Sequence, residues 1–261
     1  MRCAVVGHVE WVEFARVSRF PAAGTIVHAE EFWADPAGAG PVMARQLVRL
    51  AGRCEFFTVL GDDELGHRSE RRLAELGIDV HVEFRASTRR AWTHIDANGE
   101  RTITVLGDKL LPRAPLPLEG YDAIYFVSGE PSALQAARVA PFVAATAREQ
   151  ATLREAGVPL DLLVGSLNDA GEHYEGGVDA ANVVLTDGAN GCVANGERFP
   201  APALPGPVVD TYGAGDSFAA TLCFALARGD TLTDAIALAS RAGAAVITGR
   251  GPYSSQLALE E

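Results

Sequence analysis

Asp210-Thr211-Tyr212-Gly213-Ala214-Gly215-Asp216, running into the helical pattern 217–228, carries the residue types that phosphoryl transfer needs. Its glycines permit backbone shapes that a Cβ forbids, and the free N–H groups of a helix start point where an anion can lie. Asp216 delivers a carboxylate to the same place, so an anion pocket and a proton acceptor sit side by side. The plainer reading is a glycine-rich turn whose aspartate is favoured by the helix dipole, with no catalysis.

Such a loop needs a rigid frame. Short apolar runs at 3–6, 55–60, 123–127, 142–146, 160–164, 183–186 and 191–195 read as buried strands of a largely parallel sheet. Helical patterns lie between most of them, at 41–50 and at 66–76 with Gly77 as the stop. This alternation predicts an α/β, doubly wound sheet. Segments 10–34 and 88–106 favour extended structure instead, and Asn98-Gly99 is a hairpin-turn signal, so the two are expected to pair as a small β-lid. Near the end, 231–247 is an alanine-rich helix with Thr231 or Thr233 as its cap, broken by Gly249-Arg250-Gly251-Pro252.

Bulk properties narrow the function. The 261 residues are 48% hydrophobic, enough for one sizeable core with a small appendage. With 34 acidic and 22 basic side chains, the net charge of −12 repels nucleic acid and anionic membranes. An anionic nucleotide would bind through local amides and a cation. Cys3, Cys54, Cys192 and Cys223 have no paired spacing and read as buried thiols of a reducing cytoplasm. The N-terminal apolar run is too short for a signal peptide, and no stretch approaches the ~20 apolar residues of a membrane span.

The motif 210–216 resembles the C-terminal signature of the ribokinase-like (pfkB) carbohydrate kinases, and three further segments agree with that family. Gly61-Asp62-Asp63-x-x-Gly66 with Leu76-Gly77-Ile78-Asp79-Val80 is similar to its Gly-x-Asp-x-x-Gly…Gly-Val-Asp segment. Thr88 with Asn98-Gly99-Glu100-Arg101-Thr102 is similar to its lid hairpin, and Val184-Leu185-Thr186-Asp187-Gly188-x-x-Gly191 to its nucleotide-binding turn. The resemblance implies a three-layer αβα ribokinase-like fold over 1–261 as a single kinase domain, and ATP-dependent transfer to a hydroxyl of a sugar, nucleoside or related polyol.

On that resemblance Asp216 would be the base, with a low pKa from the helix start, and the amides of Gly213, Ala214 and Gly215 would gather the charge of the transferred group. Thr186 and Gly188 would lie along the nucleotide phosphates, Gly191, Asp210 and Thr211 would belong to the same cofactor site, and Ser240 and Gly243 would flank the adenine. ATP with Mg2+ is implied, K+ near Asp210 and the C-terminal loop as well, and a homodimer through the lid.

The acceptor half departs from the family. Gly38-Ala39-Gly40-Pro41-Val42-Met43 places Met43 where an asparagine is usual, and Glu10-Trp11-Val12 places Val12 where an aspartate is usual. Glu10 is the first candidate to compensate, before His8 or Glu13; Glu130, after the strand at 123–127, is a further acceptor-side residue. Trp11, Phe32 and Trp33 could stack on a ring, or on each other. Ser166-Leu167-Asn168-Asp169 stands for the family's Asn-x-x-Glu, leaving Asp169 as an indirect magnesium contact. These departures keep two other readings open, a kinase of hydroxymethylated vitamin heterocycles and a pseudokinase that only binds nucleotide or ligand.

Overall fold

The computed structural model describes residues 1–259. In chain order the strands are β1 (Cys3–Val6), β2 (Glu10–Arg16), β3 (Glu31–Ala37), β4 (Glu55–Leu60), β5 (Asp79–Phe84), β6 (Arg90–Ile95) and β7 (Arg101–Leu106). They continue with β8 (Ala123–Phe126), β9 (Phe142–Thr146), β10 (Leu162–Ser166), β11 (Val183–Thr186), β12 (Cys192–Ala194) and β13 (Glu197–Phe199). The helices are α1 (Ala39–Ala51), α2 (Glu64–Glu75), α3 (Pro131–Ala137), α4 (Gln150–Ala156), α5 (Ala214–Ala227) and α6 (Leu232–Val246).

Among the described residues the strands form two sheets, a nine-stranded one ordered β13-β12-β11-β10-β9-β8-β1-β4-β5 and a four-stranded one ordered β3-β2-β6-β7. The large sheet is parallel from β5 to β11, and β12 alone is reversed, pairing antiparallel with both β11 and β13. Strand alternation divides its core. Cys3 and Val5 point toward Leu47, Leu73, Leu222 and Ile236, while Ala4 and Val6 point toward Leu134 and Leu153 on the other face. Helices therefore cover both faces, giving the three layers that the strand–helix alternation predicts. No described helix is long and apolar enough to cross a membrane.

The lid is the second sheet, but its first segment runs three residues past 34, to Ala37. Its core joins Val12, Phe14, Ala91 and Ile95 to Val42 and Tyr212 of the main body. The hairpin turn forms as Asn98-Gly99 predicts: Gly99 N donates to Asp96 O (3.0 Å), and Gly99 adopts φ +80°.

The lid root is fixed by Asp63. Its carboxylate accepts from Gly66 N at the start of α2 (2.9 Å) and from Thr88 N (2.7 Å). A Cβ on Gly66 would lie 1.9 Å from Gly61 O and one on Gly61 2.2 Å from Thr88 N, so no other residue fits this crossing. Thr231 Oγ1 accepts from Asp234 N (3.2 Å) and is the cap of α6; Thr233 lies inside the helix. All four cysteines are buried and free.

Candidate active site

The parallel strands end on one rim, where an open α/β sheet binds its ligands. His8 follows β1, Ser128 follows β8, Arg148 follows β9, Asp169 and Glu172 follow β10, and Thr186 ends β11. The loop 210–216 reaches this rim. Gly213, at φ +85°, turns the chain into α5, so Ala214, Gly215 and Asp216 form the helix's first turn. A Cβ at Gly215 would have no atom within 4 Å, so the start of α5 is open on that side, where a helix N-terminus can receive an anion.

Asp216 differs from the expected low pKa. Burial pushes its carboxyl up to about 6, Glu172 adds to the rise, and Arg101 and Arg148 oppose it. Loss of hydration and a like charge outweigh the helix start, which leaves a better base than the motif alone promises. Asp210 is fully buried, and its two oxygens accept from Tyr212 N and Gly251 N, each at 2.9 Å. It ties the motif to the C-terminal turn 249–252.

The lid closes on this loop. Thr211 N and Thr211 Oγ1 both donate to Gly99 O (3.0 and 3.1 Å), and Arg101 Nη1 donates to Thr211 Oγ1 (3.3 Å). Gly38 N donates to the Tyr212 hydroxyl (3.0 Å), so the turn before α1 meets the motif as well. Beside Gly38 lies the buried pair His8 and Glu10: an added Cβ there would be 3.7 Å from both Glu10 Cγ and His8 Nε2. Arg89 Nε is 2.8 Å from Glu10 Oε1 without an aligned N–H. Ser128 Oγ lies 2.7 Å from His8 Nδ1, and burial holds the imidazole neutral. Burial likewise raises the Glu10 carboxyl, against the pull of Arg89 and Lys109.

Other expected residues are placed differently. Met43 packs into the core with Leu47 and Phe56, so it does not line the cleft; α1 turns that position inward toward the sheet. Val12 is fully buried between the lid and Tyr212. Gly40 is required by packing, since its Cβ would meet His8 O at 2.7 Å, and Ala39 opens α1. Glu130 stands just before α3 and makes no side-chain cap. Two of the lid aromatics pack on the protein itself, while Phe32 is exposed: Trp33 stacks on Phe14 (5.0 Å, 8°) and lies under Arg250, and Trp11 lies under Arg68.

On the opposite side, Thr186 Oγ1 donates to Gly165 O (3.2 Å), and Gly188, at φ +55°, has Asn168 Nδ2 as its nearest neighbour. Gly191 serves the fold, because its Cβ would stand 2.0 Å from Phe199 O. On α6, Gly243 packs against Ala214 O and Ser240 lies one turn earlier. Asp169 accepts from Gly171 N (2.8 Å) and from Arg148 Nη2 (2.5 Å). The acid that acts most strongly on Asp216 is Glu172, three residues on, itself paired with Arg148 at 3.1 Å; Glu10 adds a smaller push in the same direction. Sequence reasoning passed over Arg148 and Glu172, although a charged residue directly after a buried parallel strand marks the binding rim.

A family model described as pfkB family carbohydrate kinase matches residues 1–164 and 155–258. The chain belongs to this family. It is similar to the aminoimidazole riboside kinase of Salmonella typhimurium, 26% identical over 85% of this chain and 86% of that protein. It is similar also to the fructokinase of Solanum tuberosum, 26% identical over 76% and 73%. The ribokinase of Thermotoga maritima shares this chain's fold with a TM-score of 0.78, 23% identity and coverage of 98% and 96%. The ribokinase of Cryptococcus neoformans, solved with ADP, shares it at 0.77, 22% identity and coverage of 98% and 96%.

Proposed function

We propose that this pfkB kinase transfers the γ-phosphate of ATP to a hydroxyl of a small sugar or nucleoside. The observation that carries the reading is the first turn of α5, where an open helix start and the Asp216 carboxylate share one rim. Asp216 takes the hydroxyl proton, the amides of 213–216 stabilise the charge on the transferred group, and the lid excludes water. The buried Glu10, held by Arg89, orients the acceptor beside Gly38. This suits the relatives' names, since those proteins act on an aminoimidazole riboside and on fructose.

A magnesium ion belongs to the same proposal, arriving on the ATP phosphates, since it keeps several waters and needs few direct protein ligands. Such an ion would neutralise phosphate charge, with Glu172 and Asp169 contacting it through water. Potassium beside Asp210 belongs to the same proposal. Four buried thiols support a cytoplasmic setting.

The test follows ADP release with ATP and magnesium, with and without potassium, across sugars, nucleosides and vitamin alcohols. Turnover stimulated by a sugar or nucleoside is expected. Stimulation by a vitamin alcohol alone would move the acceptor class, and no turnover across the panel would leave only nucleotide binding.

We propose further that the lid pairs with its twin. The face of the lid carrying Ala15 and Glu13 also presents Phe32, 65% exposed, and Trp92, 46% exposed. Sedimentation should report a dimer that Phe32→Glu converts to a monomer of unchanged melting temperature; a monomeric wild-type protein would refute the pairing.

A further inference from the structure

An open groove of about 270 Å³, with Arg68 and Arg71 exposed along it, lies away from the phosphoryl-transfer loop, between the lid root and α2. The lid contributes Trp11 of β2 and Asp35 of β3, and the helix contributes Arg68, Arg71, Arg72 and Glu75. Their spacing, i, i+3, i+4 and i+7, places the four helix residues on one face. Arg72 is occupied: its Nε donates to Asp35 Oδ1 (2.8 Å) and its Nη1 to Glu75 Oε2 (3.3 Å). Arg68 lies over the Trp11 ring, 4.6 Å from its centroid, and neither Arg68 nor Arg71 makes an ion pair among the described residues.

In a chain with 34 acidic and 22 basic side chains, carboxylates are in surplus, yet two guanidiniums at one groove stay without one. Adjacent like charges on one helix face repel each other, and an oxyanion between them removes that repulsion. The guanidinium fork matches phosphate in a two-point grip, and Trp11 offers an apolar wall to whatever bears it. The volume falls just under the ~300–1,000 Å³ of drug-sized sites, which suits a small metabolite.

We propose that this groove binds a phosphate group, free or carried on a small organic body, between Arg68 and Arg71. The site is coupled to the acceptor side by the chain itself. Trp11 adjoins Glu10, and Asp35 precedes Gly38 by three residues, so an anion that draws Arg72 from Asp35 or fixes Trp11 acts on the lid root. The ligand is therefore an effector as well as a passenger of the fold.

Calorimetric titration of the full chain, with ADP saturating the nucleotide loop, tests binding with glycerol 1-phosphate, inorganic phosphate and glycerate. Glycerol 1-phosphate or inorganic phosphate should bind with a Kd below about 1 mM, and whichever is tighter identifies the source. Arg68→Gln and Arg71→Gln should each weaken it about tenfold with an unchanged melting temperature. No binding, equal binding of glycerate, or binding that survives both substitutions would each overturn the site. A shift in acceptor KM on adding the anion, lost in both variants, is the expected regulatory effect. That effect rests on the kinase reading, whereas the titration does not, so the two failures are separable.

Discussion

Asp216→Asn should lower kcat by about 10³-fold or more while making the protein more stable at alkaline pH. Both effects come from one environment. The folded protein raises this carboxyl from the ordinary 3.8 to about 6, through burial first and Glu172 second. The group therefore favours folding below the unfolded value, and that contribution is lost as pH rises through about 6. At pH 8 the wild-type protein carries the ionised side chain at a cost on the order of 1–3 kcal/mol, which asparagine removes. Melting temperature should thus rise in the variant at pH 8 and show no gain at pH 4. Wild-type kcat/KM should fall below about pH 6, where Asp216 takes up its proton. A variant that kept wild-type turnover would end the assignment of Asp216 as base.

Gly215→Ala should separate the anion cradle from the fold. The residue is exposed at the second position of α5, its added Cβ meets no atom within 4 Å, and alanine favours a helix over glycine by about 1 kcal/mol. Melting temperature should hold or rise. The methyl would occupy the open space at the start of α5, so kcat/KM should drop about 10²-fold, near the loss of one oxyanion donor. Gly213→Ala is the contrast, because it needs φ +85° and brings Cβ to 3.0 Å from Pro252 Cβ and 3.1 Å from Val42 Cγ1. Both stability and activity should fall there. If Gly215→Ala retained full activity, the open space would not be the seat of the transferred group.

The phosphoryl-transfer side was legible because its constraints are local. A positive-φ glycine, a helix start and an acid in the first turn occupy consecutive positions, 213–216. Interior strands were legible for a similar reason, since continuous apolar runs such as 142–146 need no partner to be recognised. The edge strand β5 was passed over, although Asp79-Val80-His81-Val82-Glu83-Phe84 alternates strictly; its exposed polar side chains look like loop until pairing with β4 is known. The apolar run 160–164 starts two residues before β10, which begins at Leu162; Leu160 bridges Ala180 instead.

The acceptor side was the least legible. Met43 and Glu10 lie 33 positions apart, and which of them faces the cleft depends on the rotation of α1 and the register of β2, both set by tertiary packing. The charge balance that raises Asp216 was also hidden. Arg101, Arg148 and Glu172 meet only because three separate connections end on the same rim.

The hydrogen bonds from Thr211 to Gly99 and from Arg101 to Thr211 give the lid an equilibrium of its own. Three such contacts, at about 1 kcal/mol each, favour the shut form by roughly 2–3 kcal/mol once bifurcation at Gly99 O is allowed for. That leaves the hairpin tip released in roughly one molecule in a hundred. An acceptor that enters only past a raised tip associates at its intrinsic rate scaled by that fraction. Weakening the Thr211 contacts would then speed acceptor entry while shortening the time that water is kept out. Acceptor entry and hydrolytic leakage are set against each other at a single threonine of the motif.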